Sequence, residues 1–274
     1  MYFDNFEQFK QEIIDRLTEA GIETRFQVIN RSDGTSYNGL SQVSKESVGV
    51  SAVFNMDTAF QDYQDKGMFI EDIVDKIKEV FEMKPAGLMF NPEDFKYLEK
   101  VRNNIVPRLV PNTEVFSNRL GVVLEKANDL KVIFAVRAFA DGQGIGEAVV
   151  DEDLMGMWGI GLEELREIAF ANLPSEEPGI MMMGPMTILT NKYKIRGAIV
   201  CLDKEFMNKY QAENGEVYIL PSSRHEVILI PKEDVDDVDV LRMMVASVNA
   251  EAVEEQDQLS NNVYIFNGET LEVA

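Results

Sequence analysis

The extended segments of this sequence come in adjacent pairs separated by turn signals. Asp33-Gly34 lies between the stretches 23–30 and 37–44, and Asn267-Gly268 divides the extended residues 263–273. Asp-Gly and Asn-Gly favour two-residue hairpin turns, because both positions tolerate a positive φ. Hairpins join antiparallel strands, so the sequence predicts an α+β fold of antiparallel sheets with packed helices rather than a doubly wound parallel sheet.

The chain is predicted to form two modules, residues 1–85 and residues 86–274. The first contains a helix, a three-stranded meander and a further helical segment with one apolar face. Lys84-Pro85-Ala86-Gly87 combines a helix stop with a flexible turn, and therefore marks the boundary. The larger second module is predicted to be antiparallel α+β, with strands that include 130–139 and 196–202.

The charge of the chain restricts its partners. It has 274 residues, and its 26 Lys and Arg against 48 Asp and Glu give a formal net charge of −22. Nucleic-acid binders need clustered basic residues that neutralise phosphates, and anionic membrane surfaces repel so acidic a chain. We therefore predict neither direct binding of nucleic-acid phosphates nor membrane binding. The alternative use of this charge is an acidic mimic that imitates nucleic acid.

The cysteine content and the N-terminal residues indicate the compartment. Cys201 is the single cysteine, which excludes an internal disulfide and a cysteine-built zinc site. The first residues lack the basic and apolar regions of a secretory signal, and no apolar run approaches the roughly 20 residues of a membrane span. The sequence therefore predicts a cytoplasmic protein, with Cys201 as a buried small hydrophobe.

The segment Pro-Ser-Ser-Arg-His-Glu at 221–226 concentrates more chemistry than any other, and it lies between two apolar predicted strands. One interpretation is a hydrolase in which Ser222 or Ser223 is the nucleophile and His225 is the base. A second is a structural hairpin whose hydroxyl groups cap backbone groups and whose His225–Glu226 pair supports the turn. A third is a non-catalytic binding site formed by Arg224, His225 and Glu226.

Two further features have both a structural and a functional interpretation. Trp158 either anchors its helix to the sheet or lines a binding groove, and we include it among the tentative binding residues. Met181-Met182-Met183 is predicted to fill gaps in the core, with a pliant interface as the alternative.

No metal site and no cofactor are predicted. The acidic groups at 151–153 and 234–239 lack the glycine and the closing glutamate of a calcium loop. Both precede predicted helices, where acidic residues favour the positive end of the helix dipole. The glycines at 142–146 are separated by single residues and are followed by a strand, which predicts a hairpin turn rather than a dinucleotide loop.

Several segments of the C-terminal third resemble a family of uncharacterised bacterial proteins, the domain of unknown function number 5688. The resemblance is carried by Thr187-Ile-Leu-Thr190-Asn191, by Gly197-Ala198 and by residues 218–227, with Pro-Ser-Ser-x-His-Glu as its most specific motif. It extends over most of the chain. The resemblance implies a shared architecture and brings no activity, cofactor or partner with it.

The leading functional hypothesis is a non-enzymatic binding or regulatory protein of the bacterial cytoplasm, whose partner the sequence does not identify. The alternatives are a hydrolase centred on Ser222, Ser223 and His225, and the acidic mimic of nucleic acid. An enzyme requires a pocket that contains the residues of the turn. A mimic requires carboxylates spaced like phosphates on one convex face.

Overall fold

The computed structural model of the chain describes residues 3–30, 35–43, 52–82, 89–141, 144–184, 186–221 and 223–274. The chain divides into two compact units, Met1–Lys96 and Tyr97–Ala274. The boundary that the sequence predicts at 84–87 lies outside the described residues, as do the turn Asp33-Gly34 and Ser222. Antiparallel sheets with packed helices confirm the predicted α+β class.

The first unit consists of a helix, a meander and two further helices. Its elements are α1 (Phe6–Glu19), β1 (Thr24–Asn30), β2 (Ser36–Gln42), β3 (Val53–Asn55), α2 (Met56–Lys66), α3 (Ile70–Glu82) and a 3₁₀ helix at Pro92–Lys96. The strands pair antiparallel in the order β1-β2-β3. The apolar stripe of α3 is buried against this unit's core, as its spacing predicts.

The second unit begins with a four-stranded antiparallel sheet. Its elements are α4 (Leu98–Val101), a 3₁₀ helix at Arg102–Asn104, β4 (Ile105–Pro111), α5 (Glu114–Ser117), β5 (Gly121–Leu124), β6 (Ala127–Asp141) and β7 (Gly144–Val149). The long strand β6 pairs with β4, β5 and β7. Strands β6 and β7 pair antiparallel up to Asp141 and Gly144, as the predicted hairpin requires, and the turn residues 142–143 lie outside the described residues.

The rest of the second unit forms a six-stranded antiparallel sheet with helices on its faces. Its elements are α6 (Glu152–Trp158), α7 (Leu162–Ala171), a 3₁₀ helix at Leu173–Glu176, β8 (Pro178–Met183), β9 (Met186–Asn191), a 3₁₀ helix at Gly197–Leu202, α8 (Lys204–Asn214), β10 (Val217–Leu220), β11 (Val227–Pro231), a 3₁₀ helix at Lys232–Asp234, α9 (Val238–Glu251), a 3₁₀ helix at Glu255–Asp257, β12 (Tyr264–Phe266) and β13 (Leu271–Val273). The strand order is β13-β12-β10-β11-β9-β8. No helix among the described residues is long and apolar enough to cross a membrane.

A carboxylate on β6 links the two sheets of the second unit. Oδ2 of Asp129 accepts hydrogen bonds from the hydroxyl groups of Ser260 and Tyr264, each at 2.5 Å, and from Nδ2 of Asn262 at 2.9 Å. Burial and the hydrogen bond to Asp129 raise the pKa of the Tyr264 phenol. Tyr264 therefore remains a neutral donor and fixes the start of β12 to the neighbouring sheet.

Two expectations about local structure are wrong. Residues 196–202 were predicted to form a strand, but Gly197–Leu202 form a 3₁₀ helix, because Arg196 before them has a positive φ of +53°, which an extended segment does not accommodate. Met181, Met182 and Met183 were predicted to fill the core, but all three are exposed on β8.

Other expectations are confirmed. Asp151 and Asp237 stand at helix starts, where their carboxylates accept hydrogen bonds from the backbone N–H groups of Leu154 and Asp239. Cys201 is fully buried, and burial raises the pKa of its thiol to about 12. The thiol therefore stays protonated and unreactive at neutral pH.

Candidate functional site

The segment 221–226 connects β10 to β11, and Asp257 holds it in place. Oδ1 of Asp257 lies 2.8 Å from Nη2 of Arg224 and 3.2 Å from Nε2 of His225. The backbone N–H of Arg224 also donates to the carbonyl oxygen of Asp257, at 2.8 Å. The sequence hypothesis assigned Glu226 as the partner of His225. The structure instead brings in a carboxylate from a 3₁₀ helix about 30 residues later in the chain.

Both ring nitrogens of His225 are engaged. The backbone N–H of Arg196 donates to Nδ1 at 3.2 Å, and Nε2 faces Asp257. These partners assign the proton to Nε2, since Nδ1 acts as an acceptor. Oγ of Ser223 accepts a hydrogen bond from the backbone N–H of His225 at 3.0 Å. A serine nucleophile requires a base whose free lone pair faces its hydroxyl group. In this arrangement no lone pair of the imidazole faces the Ser223 hydroxyl.

The remaining predicted site residues lie around this turn or apart from it. Glu226 is half-buried and forms no ion pair with any residue that the structure describes. Its backbone carbonyl accepts from the N–H of Ser223 at 3.3 Å. Trp158 is the last residue of α6 and is partly buried. Ser222 lies outside the described residues.

Beside the turn lies a buried cluster of three arginines and two glutamates, the ion cluster, which the sequence hypotheses did not include. Its members are Arg108 on β4, Arg137 on β6, Glu147 on β7, Glu176 and Arg196. Nε of Arg108 lies 3.0 Å from Oε1 of Glu147, and Nη1 of Arg108 lies 3.1 Å from Oε1 of Glu176. Nη1 of Arg196 lies 2.5 Å from Oε2 of Glu147, and Arg137 pairs with Glu176.

Polar and aromatic groups complete the surroundings of the ion cluster. Nδ2 of Asn191, at the end of β9, donates to Oε2 of Glu176 at 2.6 Å. The guanidinium of Arg137 lies over the ring of Tyr193, 5.0 Å from its centroid. Burial, and then repulsion from Arg108, lower the pKa of Arg137. An arginine this basic keeps its charge despite such a shift.

Electrostatic attraction keeps Glu147 ionised although its side chain is fully buried. Burial alone raises the pKa of this carboxyl, but attraction to Arg108 and hydrogen bonds from it, followed by those of Arg196, outweigh burial and lower the pKa to about 2. Removing either partner of such a pair leaves an uncompensated buried charge. Any stable arrangement of the second unit therefore has to keep these charged partners together.

The backbone beside the ion cluster is held in uncommon conformations. Three residues, Glu177, Lys194 and Arg196, have positive φ angles of +51°, +56° and +53°, in a backbone region that residues other than glycine seldom adopt. Next to Arg196, a Cβ at Gly197 would stand 2.4 Å from the backbone nitrogen of Asn191 and 2.8 Å from the carbonyl oxygen of His225. Only glycine fits there, so the 197–202 helix packs directly on the turn and on the end of β9.

Two short helices, 173–176 and 197–202, connect the ion cluster and the turn to a groove of about 580 Å³. Leu173 and Leu202, the first residue of the 173–176 helix and the last of the 197–202 helix, belong to its apolar floor together with Leu124 and Phe170. Its charged lining residues are Glu163, Arg166, Glu167, Asp203, Lys204, Glu205 and Glu269, a net charge of −3. The groove therefore combines buried or partly buried apolar residues with charged residues that are exposed, except for the buried Asp203.

The cations of the groove are already paired within the chain. Arg166 pairs with Glu163 at 3.4 Å, and Lys204 pairs with Glu269. Glu167 and Glu205 are exposed and form no ion pair with any residue in the described part of the chain. The free charge that the groove presents to a ligand is therefore negative.

A sequence signal for the ion cluster existed in the strands themselves. Arg108 stands in the middle of Ile-Val-Pro-Arg-Leu-Val, and Arg137 near the end of the apolar strand 130–139. An arginine inside a strand whose neighbours are all apolar has to be buried, and a buried arginine needs a carboxylate partner. The sequence does not identify the partners, because Glu147 and Glu176 lie on other elements.

We predict that Glu147→Gln lowers the free energy of unfolding by about 3–5 kcal/mol, because it removes the charge that compensates Arg108 and Arg196. Urea unfolding at neutral pH measures the loss. Glu216→Gln is the matched control, since Glu216 pairs with Lys232 at 2.9 Å on the surface. There the expected change is within about 1 kcal/mol. Equal effects of the two substitutions would contradict the role of burial.

The pH dependence of Glu147 has a definite sign. Its pKa in the folded chain lies at about 2, below the ordinary value of 4.5, so the carboxylate stabilises the fold fully above about pH 4.5. This contribution is lost as the pH falls through 4.5 toward 2. The difference in unfolding free energy between the parent chain and Glu147→Gln should therefore shrink over that interval. A difference that is independent of pH would contradict the assignment.

We predict that His225→Ala destabilises the chain by about 1–3 kcal/mol, because the N–H of Arg196 loses its acceptor and Asp257 loses a donor. Urea unfolding again measures the change, and screening against generic ester, phosphate and peptide substrates is expected to show no turnover. Unchanged stability, together with turnover that disappears in both His225→Ala and Ser223→Ala, would show that the turn is catalytic.

Comparison with known proteins identifies a family but no activity. A family model described as a family of unknown function, DUF5688, matches residues 3–184 and again residues 175–268. No curated protein and no solved structure matches the chain. The two matches together cover nearly the whole sequence and agree with the resemblance carried by Pro-Ser-Ser-x-His-Glu. The chain belongs to the family of unknown function DUF5688.

Proposed function

We propose that this chain is a non-enzymatic binding protein of the bacterial cytoplasm, and that its groove takes a basic, partly apolar peptide segment of a partner protein. The observation that carries the proposal is the combination of apolar lining residues with charged lining residues whose net charge is −3. Ligand sites typically combine apolar walls with a few polar groups that fix orientation. A ligand that matches both features carries cationic groups on an apolar body.

Charge complementarity favours a basic ligand over a neutral one. Glu167 and Glu205 form no ion pair with a cation among the described residues, whereas Arg166 and Lys204 are already paired. The net charge of −22 also attracts cations over a longer range and raises the rate of encounter. A basic segment would gain both effects, and an acidic one would lose both.

The geometry of the turn supports a binding role over hydrolysis. His225 uses one ring nitrogen for the backbone of Arg196 and the other for Asp257. The groove is lined by neither Ser223 nor His225, so the pocket and the candidate catalytic residues are separate features. The fully buried Cys201 is consistent with a reducing compartment, in which a chain of this kind needs no disulfide.

Fluorescence anisotropy with two labelled probe peptides tests the proposal. One probe alternates Leu and Lys, and the other alternates Gly and Lys with the same charge. The Leu-Lys probe is expected to bind at least about tenfold more tightly, a difference of about 1.4 kcal/mol, because only it fills the apolar floor. Equal affinities would mean that charge alone attracts the probes. That result would contradict the proposal and favour an acidic mimic of nucleic acid.

Substitution of a charged lining residue locates the site. Glu167→Lys is expected to weaken binding of the Leu-Lys probe by about tenfold, since it reverses a carboxylate at the groove. Glu213→Lys is the matched control, because it makes the same change of charge at an exposed position that does not line the groove. Equal weakening by both variants would overturn the groove as the binding site.

A further inference from the structure

Strand β8 forms one edge of the six-stranded sheet and is left open. It pairs with β9 over Pro178–Met183 without a bulge, and no strand among the described residues pairs with its other side. An edge strand presents a row of unpaired N–H and C=O groups that can accept a further strand. Proteins usually protect such an edge with charges, a bulge, an internal proline or a short strand.

The opposite edge of the same sheet has this protection. Strand β13 is only three residues long and carries Glu272, which pairs with Lys126 at 2.7 Å. The N–H of Val273 also donates to the carbonyl of Lys126 at 3.1 Å. Strand β8 is twice as long and carries no charged residue. The two edges of one sheet therefore differ in the features that decide whether a strand can be added.

The side chains of β8 are apolar and exposed on both faces. Ile180, Met181, Met182 and Met183 are 49 to 69 % exposed, in succession. Isolated exposed apolar residues are ordinary, but a continuous apolar strand at an open edge marks an interaction surface. Methionine suits such a surface, because its flexible thioether adapts to its neighbours.

We propose that β8 pairs antiparallel with β8 of a second copy of this chain, so that the two six-stranded sheets join into one. The open backbone edge requires an extended strand as its occupant. Strand β8 offers no carboxylate to a basic partner, and two chains of net charge −22 approach most easily where neither carries charge. Antiparallel self-pairing places uncharged strand against uncharged strand through a twofold axis.

The exposed residues of α9 offer further apolar surface on one face of the six-stranded sheet. The α9 residues Leu241 and Val245 belong to a core cluster against which Met186 packs. Met183 is opposite Met186 in register, so its side chain lies on the same side of the sheet as α9. Four apolar residues of α9 are exposed: Val240, Met243, Met244 and Val248. Antiparallel pairing brings the two copies of α9 to the same side. A stable dimer buries about 800 Å² per partner, more than a six-residue strand alone supplies.

Sedimentation equilibrium of the full chain tests the proposal. We expect a dimer whose fraction increases with protein concentration and with salt between about 0.01 M and about 1 M, because salt screens the repulsion between two acidic chains. A chain that remains monomeric up to about 1 mM would overturn the proposal. Association that weakens as salt increases would overturn it too, since it would indicate contact between opposite charges.

Substitutions at the edge locate the interface. Met182→Lys is expected to raise the dimer dissociation constant by at least about tenfold, whereas Met182→Leu changes it by less than about threefold. Met157→Lys is the control, because Met157 is also an exposed methionine, at 59 % against 69 % for Met182, but lies on α6. Circular dichroism checks that each variant is folded, and Met181→Lys replaces Met182→Lys if the latter is not. A dimer that withstands both edge lysines, or that Met157→Lys weakens equally, would overturn the pairing.

Discussion

The buried ion cluster is the interaction on which the second unit depends. Arg108, Arg137 and Glu147 come from three strands of the four-stranded sheet, whereas Glu176 and Arg196 come from segments that flank β8 and β9 of the six-stranded sheet. Ion pairs of this kind do not stabilise a fold more than well-packed apolar residues would, because desolvation of the charges opposes their attraction. Their effect is to exclude other arrangements of these elements. Any arrangement that separates the sheets leaves buried charges without partners, so the cluster fixes how these elements meet.

Two short helices connect the ion cluster and the turn to the groove. The 173–176 helix ends at Glu176 inside the ion cluster and begins at Leu173 on the groove floor. The 197–202 helix begins at Gly197 against the turn and ends at Leu202, also on the floor. The uncommon φ values of Glu177, Lys194 and Arg196 are found beside these helices. Backbone strain of this kind persists where surrounding contacts impose it, and it often accompanies functional regions. The ion cluster, the turn and the groove are therefore connected through these two helices.

Local signals in the sequence predicted the fold class and much of the secondary structure, because hairpin turns and apolar periodicity act over a few residues. The family was recognised from the resemblance carried by Pro-Ser-Ser-x-His-Glu. They did not predict the exposure of Met181–Met183, since whether an apolar strand is central or at an edge depends on pairing partners far along the chain. They also failed at 196–202, where an apolar run typical of a buried strand is a buried 3₁₀ helix. The turn at 221–226 was found from composition, but its partner Asp257 was not. Contacts between distant carboxylates and arginines, such as Arg108 with Glu147, follow from topology, which neither spacing nor composition specifies.

Hydrogen exchange followed by mass spectrometry tests most directly whether the ion cluster positions the two short helices. The comparison is between the parent chain and Glu176→Gln, under conditions in which both remain folded. We expect the amides in 173–176 and 197–202 to exchange faster in the variant, while those of α9, whose core contacts lie elsewhere, keep their protection. Unchanged exchange in both short helices, or an equal increase throughout the second unit, would contradict it.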